Sequence, residues 1–187
     1  MAFNAYLVFP SATGIQGEST SEPEAAAAGK GAIEVVDYGF GVTMPVTTSR
    51  SDGGGATVGR ANFEVFTANK GIDSSTCKLV EYCCKGTDIS TIALHLYRQG
   101  ESTESGVVKF AMVVFKHCVI TKVGISGGGD ELPKESLEFN YGVAEYWYQK
   151  TKHDTGKPDG AAAKYGWSTI KNKSEASGMD FTGFQPS

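Results

Sequence analysis

Residues 137–156 read LEFNYGVAEYWYQKTKHDTG. The stretch begins with alternating apolar and polar residues and gathers Phe139, Tyr141, Tyr146, Trp147 and Tyr148 before a Gly- and Pro-punctuated loop. Successive side chains of a strand point to opposite faces. That period places Phe139, Tyr141, Val143, Glu145 and Trp147 on one face and Asn140, Gly142, Ala144, Tyr146 and Tyr148 on the other. Two arrangements fit so many rings. Either the first face fills a core while Tyr146 and Tyr148 meet a neighbour, or all the rings share one core, since aromatics dominate small β cores as well as interfaces.

Working outward, β-branched and aromatic runs recur between clusters of Gly, Ser, Asp and Thr, the texture of an antiparallel β domain. Expected strands cover Asn4 to Phe9, Ala32 to Val42, Ala61 to Phe66, Ile89 to Arg98, Val107 to Ile125 and Ser136 to Lys150. In ISTIALHLYR, residues 89–98, Ile92, Leu94 and Leu96 alternate with Thr91, Ala93, His95 and Tyr97. The first set is the expected core face, which leaves His95 at a surface or interface. IDSSTCKLVEYCCKG, residues 72–86, reads as one helix, capped by Asp73 or Ser74, stacking Cys77, Val80 and Cys84, and stopped by Gly86. One helix cannot cover both faces of an open sheet, so it is expected to plug or flank a barrel.

A chain of 187 residues with 40% apolar content suits one domain. The net charge of −4 and scattered Lys and Arg argue against a nucleic-acid partner. No run of 18 apolar residues appears, so no membrane insertion is expected, and MAFNAYLVFPSA, residues 1–12, lacks the basic start of a secretory signal; the expected starting compartment is the cytoplasm. Cys77, Cys83, Cys84 and Cys118 match no zinc spacing. Buried free thiols are the expected reading, beside a vicinal Cys83–Cys84 redox pair or a metal site completed by His117.

Chemistry-bearing motifs are thin. GGATVGRA, residues 54–61, has the glycine separation of a phosphate loop, but Arg60 and Ala61 stand where the phosphate Lys and the magnesium hydroxyl belong, and a strand-like run follows where a helix is required. His95, His117 and His153 accompany no nucleophile elbow, and the carboxylates are dispersed. GISGGGDE, residues 124–131, reads as a flexible connector. No catalytic residue, cofactor or metal is expected, and the chain reads as a building block. Thr43 to Gly59 is a polar Gly-rich loop, too long for a hairpin turn, and Thr151 to Lys164 is a second. After Asn172 the chain is polar yet carries Met179, Phe181 and Phe184.

Three stretches together resemble the hemolysin-coregulated protein family, the tube subunits of bacterial type VI secretion. They are IQGES at 15–19, GGGATVGRANFEVFTANKGIDSSTCKL at 53–79, and the LEFNYGVAEYWYQKT, DG and KYGWSTIKN segments within 137–172. The resemblance implies a small β-barrel flanked by a helix over residues 1–172, followed by a tail over 173–187. It implies six copies in a ring, and rings stacked into a hollow tube inside a contractile sheath. A baseplate, a spike at the tip and small effectors in the lumen are the further partners, and the tube passes from bacterial cytoplasm to the outside or a target cell. It also implies that Thr47, Thr48, Ser49, Arg50, Ser51, Asp52, Gly53, Gly54 and Gly55 reach an adjacent subunit or ring. Met179, Phe181 and Phe184 are candidate tail contacts, because the family usually ends near Asn172. STSEPEAAAAGKGAIE, residues 19–34, is richer in Ala and Glu than the family pattern. Alternatives are a related extracellular contractile system or phage-like particle, and a ligand- or carbohydrate-binding β domain with Tyr146, Trp147 and Tyr148 as a stacking platform.

Overall fold

The computed structural model describes residues 3–20, 31–46, 59–99, 107–129, 131–152 and 159–175. Its strands are β1 Phe3–Val8, β2 Ile33–Val35, β3 Asp37–Gly39, β4 Val42–Thr43, β5 Asn62–Phe63, β6 Phe66–Gly71, β7 Ile89–Gln99, β8 Val107–Gly128, β9 Glu131–Tyr148, β10 Ala163–Ser168 and β11 Lys173–Ser174. A single helix, α1 Thr76–Lys85, lies among the described residues.

The long β8–β9 hairpin organises the rest. From β9 the antiparallel order runs through β8, β7 and β1 to β2. β2 passes directly into β3, which pairs with β6, and β6 returns to β9 through Phe66↔Phe139 to Gly71↔Lys134. At the joint between β2 and β3, the Val36 N–H donates to Asn69 O at 2.8 Å. The circuit therefore closes into a barrel, which removes the exposed edges of an open sheet. β10 and β11 form a flange on the upper half of β9.

Inside lie Leu7, Ile33, Phe66, Leu79, Ile92, Leu94, Phe115 and Phe139, all fully buried. Phe66 and Phe139 stack with centroids 4.5 Å apart, and Phe115 meets Phe66 edge-on at 5.2 Å and Phe139 at 5.3 Å. Offset and edge-on ring pairs each add about 0.5–1.5 kcal/mol beyond burial.

The quoted stretch does not keep its alternation. Leu137, Phe139 and Tyr141 face the interior, but so do Ala144 and the half-buried Tyr146, while Trp147 belongs to a separate cluster with Ala93, Met112 and Val114. β8 changes face at the same level, where Phe115 and Cys118 both point inward. The pivot is His117, whose φ of 54° is left-handed, with Gly142 facing it. Thr169 clamps Gly142 from outside, its N–H and hydroxyl both donating to the Gly142 carbonyl at 2.9 Å. A Cβ on Gly142 would lie 2.5 Å from Ile170 Cδ1, so a larger residue there has to push the exposed Ile170 side chain aside. Below this twist β9 pairs with β6, and above it with β10. A period-2 reading cannot foresee a joint flip of two strands.

Other expectations also change. β7 is buried on both faces: Ala93, His95 and Tyr97 are as enclosed as Ile92 and Leu94, so His95 is a core residue. On α1, Cys77 and Cys84 are exposed and Val80 is about a third exposed at 37%, whereas Thr76 and Leu79 point inward and Tyr82 and Cys83 pack partly on the core. Only Cys118 of the four free thiols is buried. The N-cap is Ser75, and Asp73 supports it by accepting the Ser75 N–H at 2.9 Å. Gly86 stops the helix at φ 58°, as expected of a left-handed cap. The run from Ala61 divides into β5 and β6, and the expected connector 124–131 is largely strand, forming the end of the β8–β9 hairpin. β10 falls partly inside the expected second loop.

Candidate subunit-contact surface

Two sequence motifs that lie far apart in the chain meet beside the helix start. The Ser74 hydroxyl donates to Gln16 O at 3.0 Å, and its N–H donates to Glu18 Oε1 at 2.9 Å. Gly17 lies so close to Ala32 that a Cβ there would sit 2.3 Å from the Ala32 carbonyl oxygen. The GES turn and the IDSST helix entry are thus one packed joint. Beneath it, buried Lys70 lies 2.8 Å from Asp73 and 3.4 Å from Glu135, and Thr76 donates its hydroxyl to Glu135 at 2.5 Å. This charge cluster ties β6, β9 and α1 together through Glu135 Oε2, while Glu135 Oε1 is buried without a hydrogen-bond partner, and removing one member of the cluster leaves uncompensated charge.

The outward surface is of a different character. β4 and β5 pair through Val42↔Phe63 and Thr43↔Asn62, and the Gly59 N–H donates to Pro45 O at 2.9 Å. The two roots of the segment 47–58 are therefore held antiparallel. Thr47 to Gly55 themselves lie outside the described residues, as do Met179, Phe181, Phe184 and His153. Arg60, at the root, donates a guanidinium N–H to the Thr169 carbonyl, and no helix follows Ala61.

Beside the root opens an apolar groove of about 590 Å³, walled by Phe40, Val42, Met44, Phe63, Tyr165 and Trp167, with Tyr146 at its floor. Val42 is 55% exposed, Met44 49% and Tyr165 52%. Contiguous apolar surface of this kind marks contact sites more often than isolated exposed residues do. Tyr146 packs on the core, 6.1 Å from the Phe40 ring, and Tyr148 is 50% exposed at the end of β9. Trp167 is half-buried as a wall and not a core residue. Sequence reading passed over the groove, although Phe40, Val42 and Met44 alternate on one side of the loop and Tyr165 and Trp167 on the other.

Enclosure favours the neutral form of His95, Lys109, Cys118, Tyr141 and Tyr146. Burial, assisted by the Lys109 charge, lowers His95 to about 3, and burial lowers Lys109 to about 8. Burial pushes the Cys118 thiol up to about 12, which keeps it from acting as a thiolate nucleophile at neutral pH. Burial also raises Tyr141 and Tyr146. Among the described residues no three His, Cys, Asp or Glu side chains converge as a metal set.

The family model described as type VI secretion system effector, Hcp, matches residues 9–148. The chain belongs to the Hcp family. That family supplies the tube subunit of type VI secretion, a structural component of a contractile injection machine, and its proteins are secreted by that system. A solved structure described as a type six secretion system protein is 26% identical, with a TM-score of 0.79 over 93% of this chain and 100% of that one. Hcp1 from Salmonella typhimurium is 20% identical, TM-score 0.68, covering 93% and 99% of the two chains. A type VI secretion system effector from Yersinia pestis is 17% identical, TM-score 0.63, covering 88% and 99%. The last two establish the Hcp fold. No curated protein sequence matches the chain. The family match ends at Tyr148, the last residue of β9. No helix among the described residues is long and apolar enough to cross a membrane.

Proposed function

We propose that six copies of this chain close into a ring and that rings stack into a hollow tube that performs no chemistry. The observation that carries the reading is the Hcp family match over residues 9–148. The closed barrel supports it, because closure pairs the strands of the barrel circuit and leaves its ends, the β4–β5 root and the β10–β11 flange as contact surfaces. Head-to-tail contacts whose rotation closes make a ring, and contacts along the ring axis have nothing to close them, so stacking is open-ended. Thr47 to Gly55 serve as the contact arm reaching an adjacent subunit or ring, projected by the β4–β5 root, and Tyr146 and Tyr148 contribute at or beside the interface. Baseplate, spike and sheath are the assembly partners, small effectors ride in the lumen, and the tube passes from the bacterial cytoplasm to the outside.

Ring contacts of ordinary size bury about 1,600 Å² each. Light scattering on the purified chain tests the reading. A species of six times the chain mass supports it, and a monomer at every concentration up to the solubility limit contradicts it.

A further inference from the structure

We propose that the apolar groove beside β4 and β10 is the docking site of the chain's own C-terminal segment, residues 176–187. This inference goes beyond the tube reading and does not depend on it. The last described element leads the chain to the groove. β11 pairs with β10 through Trp167↔Ser174 and Ser168↔Lys173, and the Glu175 N–H donates to Gly166 O at 3.0 Å. The chain thus leaves residue 175 antiparallel to β10, travelling from Trp167 toward Tyr165, the two β10 residues that wall the groove. Beyond Gly166 no strand lies beside that edge of β10 among the described residues. A strand edge next to an apolar furrow is the geometry in which an extended segment binds, with backbone pairing along the edge and side chains in the furrow.

The segment has the chemistry for it. Its sequence is ASGMDFTGFQPS, in which Met179, Phe181 and Phe184 are spaced among small and polar residues with no Lys or Arg. The groove answers with Phe40, Phe63, Tyr165, Trp167 and the thioether of Met44, all suited to ring and sulfur contacts. At about 590 Å³ the groove is of the size that encloses a few large side chains. Twelve residues reach about 40 Å when extended, so length sets no obstacle.

Hydrogen exchange on the full chain, on a chain ending at Glu175, and on the full-length Phe181→Ser, Phe184→Ser double variant reads the contact directly. The expected result is exchange about tenfold faster at residues 42–46 and 163–168 in both altered chains, with residues 137–141 unchanged as the control for folding. Equal exchange at the groove in all three chains overturns the proposal. Groove protection that fades on dilution places a second copy's segment there and overturns the same-chain assignment. Negative-stain images of the same samples score rings separately, so loss of this contact and failure of the tube reading are told apart.

Discussion

At the scale of single residues, the joint around Gly17 is the least forgiving point described. A Cβ there would meet backbone and not a movable side chain, and overpacking against backbone costs about 1–3 kcal/mol or more. Gly17→Ala is therefore expected to lower the melting temperature by several degrees, whereas Gly142→Ala, whose obstacle is the exposed end of Ile170, should cost less; thermal unfolding of the two variants compares them. Lys70→Met leaves Glu135 and Asp73 without their cation and is expected to cost about 3–5 kcal/mol in denaturant unfolding. His95 gives a pH signature. Its folded value of about 3 lies below its ordinary 6.5, so the native state takes up a proton less readily than the unfolded chain. Stability is then complete above about pH 6.5 and is lost as pH falls toward 3. Lys109, lowered from 10.5 to about 8, acts in another window: the cost of burying its charge is full below pH 8 and is relieved as pH rises toward 10.5. His95→Gln is expected to flatten the acid limb of a melting-temperature profile between pH 6.5 and 3, and an unchanged limb would contradict the assignment.

At the scale of elements, the β8–β9 hairpin carries the barrel and its twist at His117 and Gly142 divides β9 between two neighbours. Phe139, stacked on Phe66 beneath that twist, is expected to cost about 3–5 kcal/mol when replaced by Ala, measured by denaturant unfolding. The strand runs were legible because their β-branched and aromatic clusters persist through β1, β7, β8 and β9. The face assignments beyond Tyr141 were not, because alternation carries no mark of where two paired strands turn over together. His95 was misplaced for a related reason: Ala93 and Tyr97 beside it read equally well as surface, and only tertiary packing shows β7 enclosed on both sides. The helix was legible from its Gly86 stop and its Asp73–Ser74 cap signal, but its buried stripe lies one residue earlier, at Thr76 and Leu79 rather than Cys77 and Val80. The groove escaped because its walls come from residues some 120 positions apart, joined only by the barrel.

At the scale of the whole molecule, the described residues form a closed barrel with the paired β4–β5 root on one side and an apolar furrow beside it. Shortening Ser49 to Gly55 is expected to leave rings intact while reducing stacking, since the β4–β5 root that bounds this segment pairs apart from the barrel circuit; tube lengths in electron micrographs decide it, and loss of rings would make the segment a lateral contact. The measurement that bears most directly on the central claim is two-dimensional class averaging of the purified protein by electron microscopy. Six-fold rings with an open centre are the expected result, and uniform single particles without rotational symmetry would contradict it.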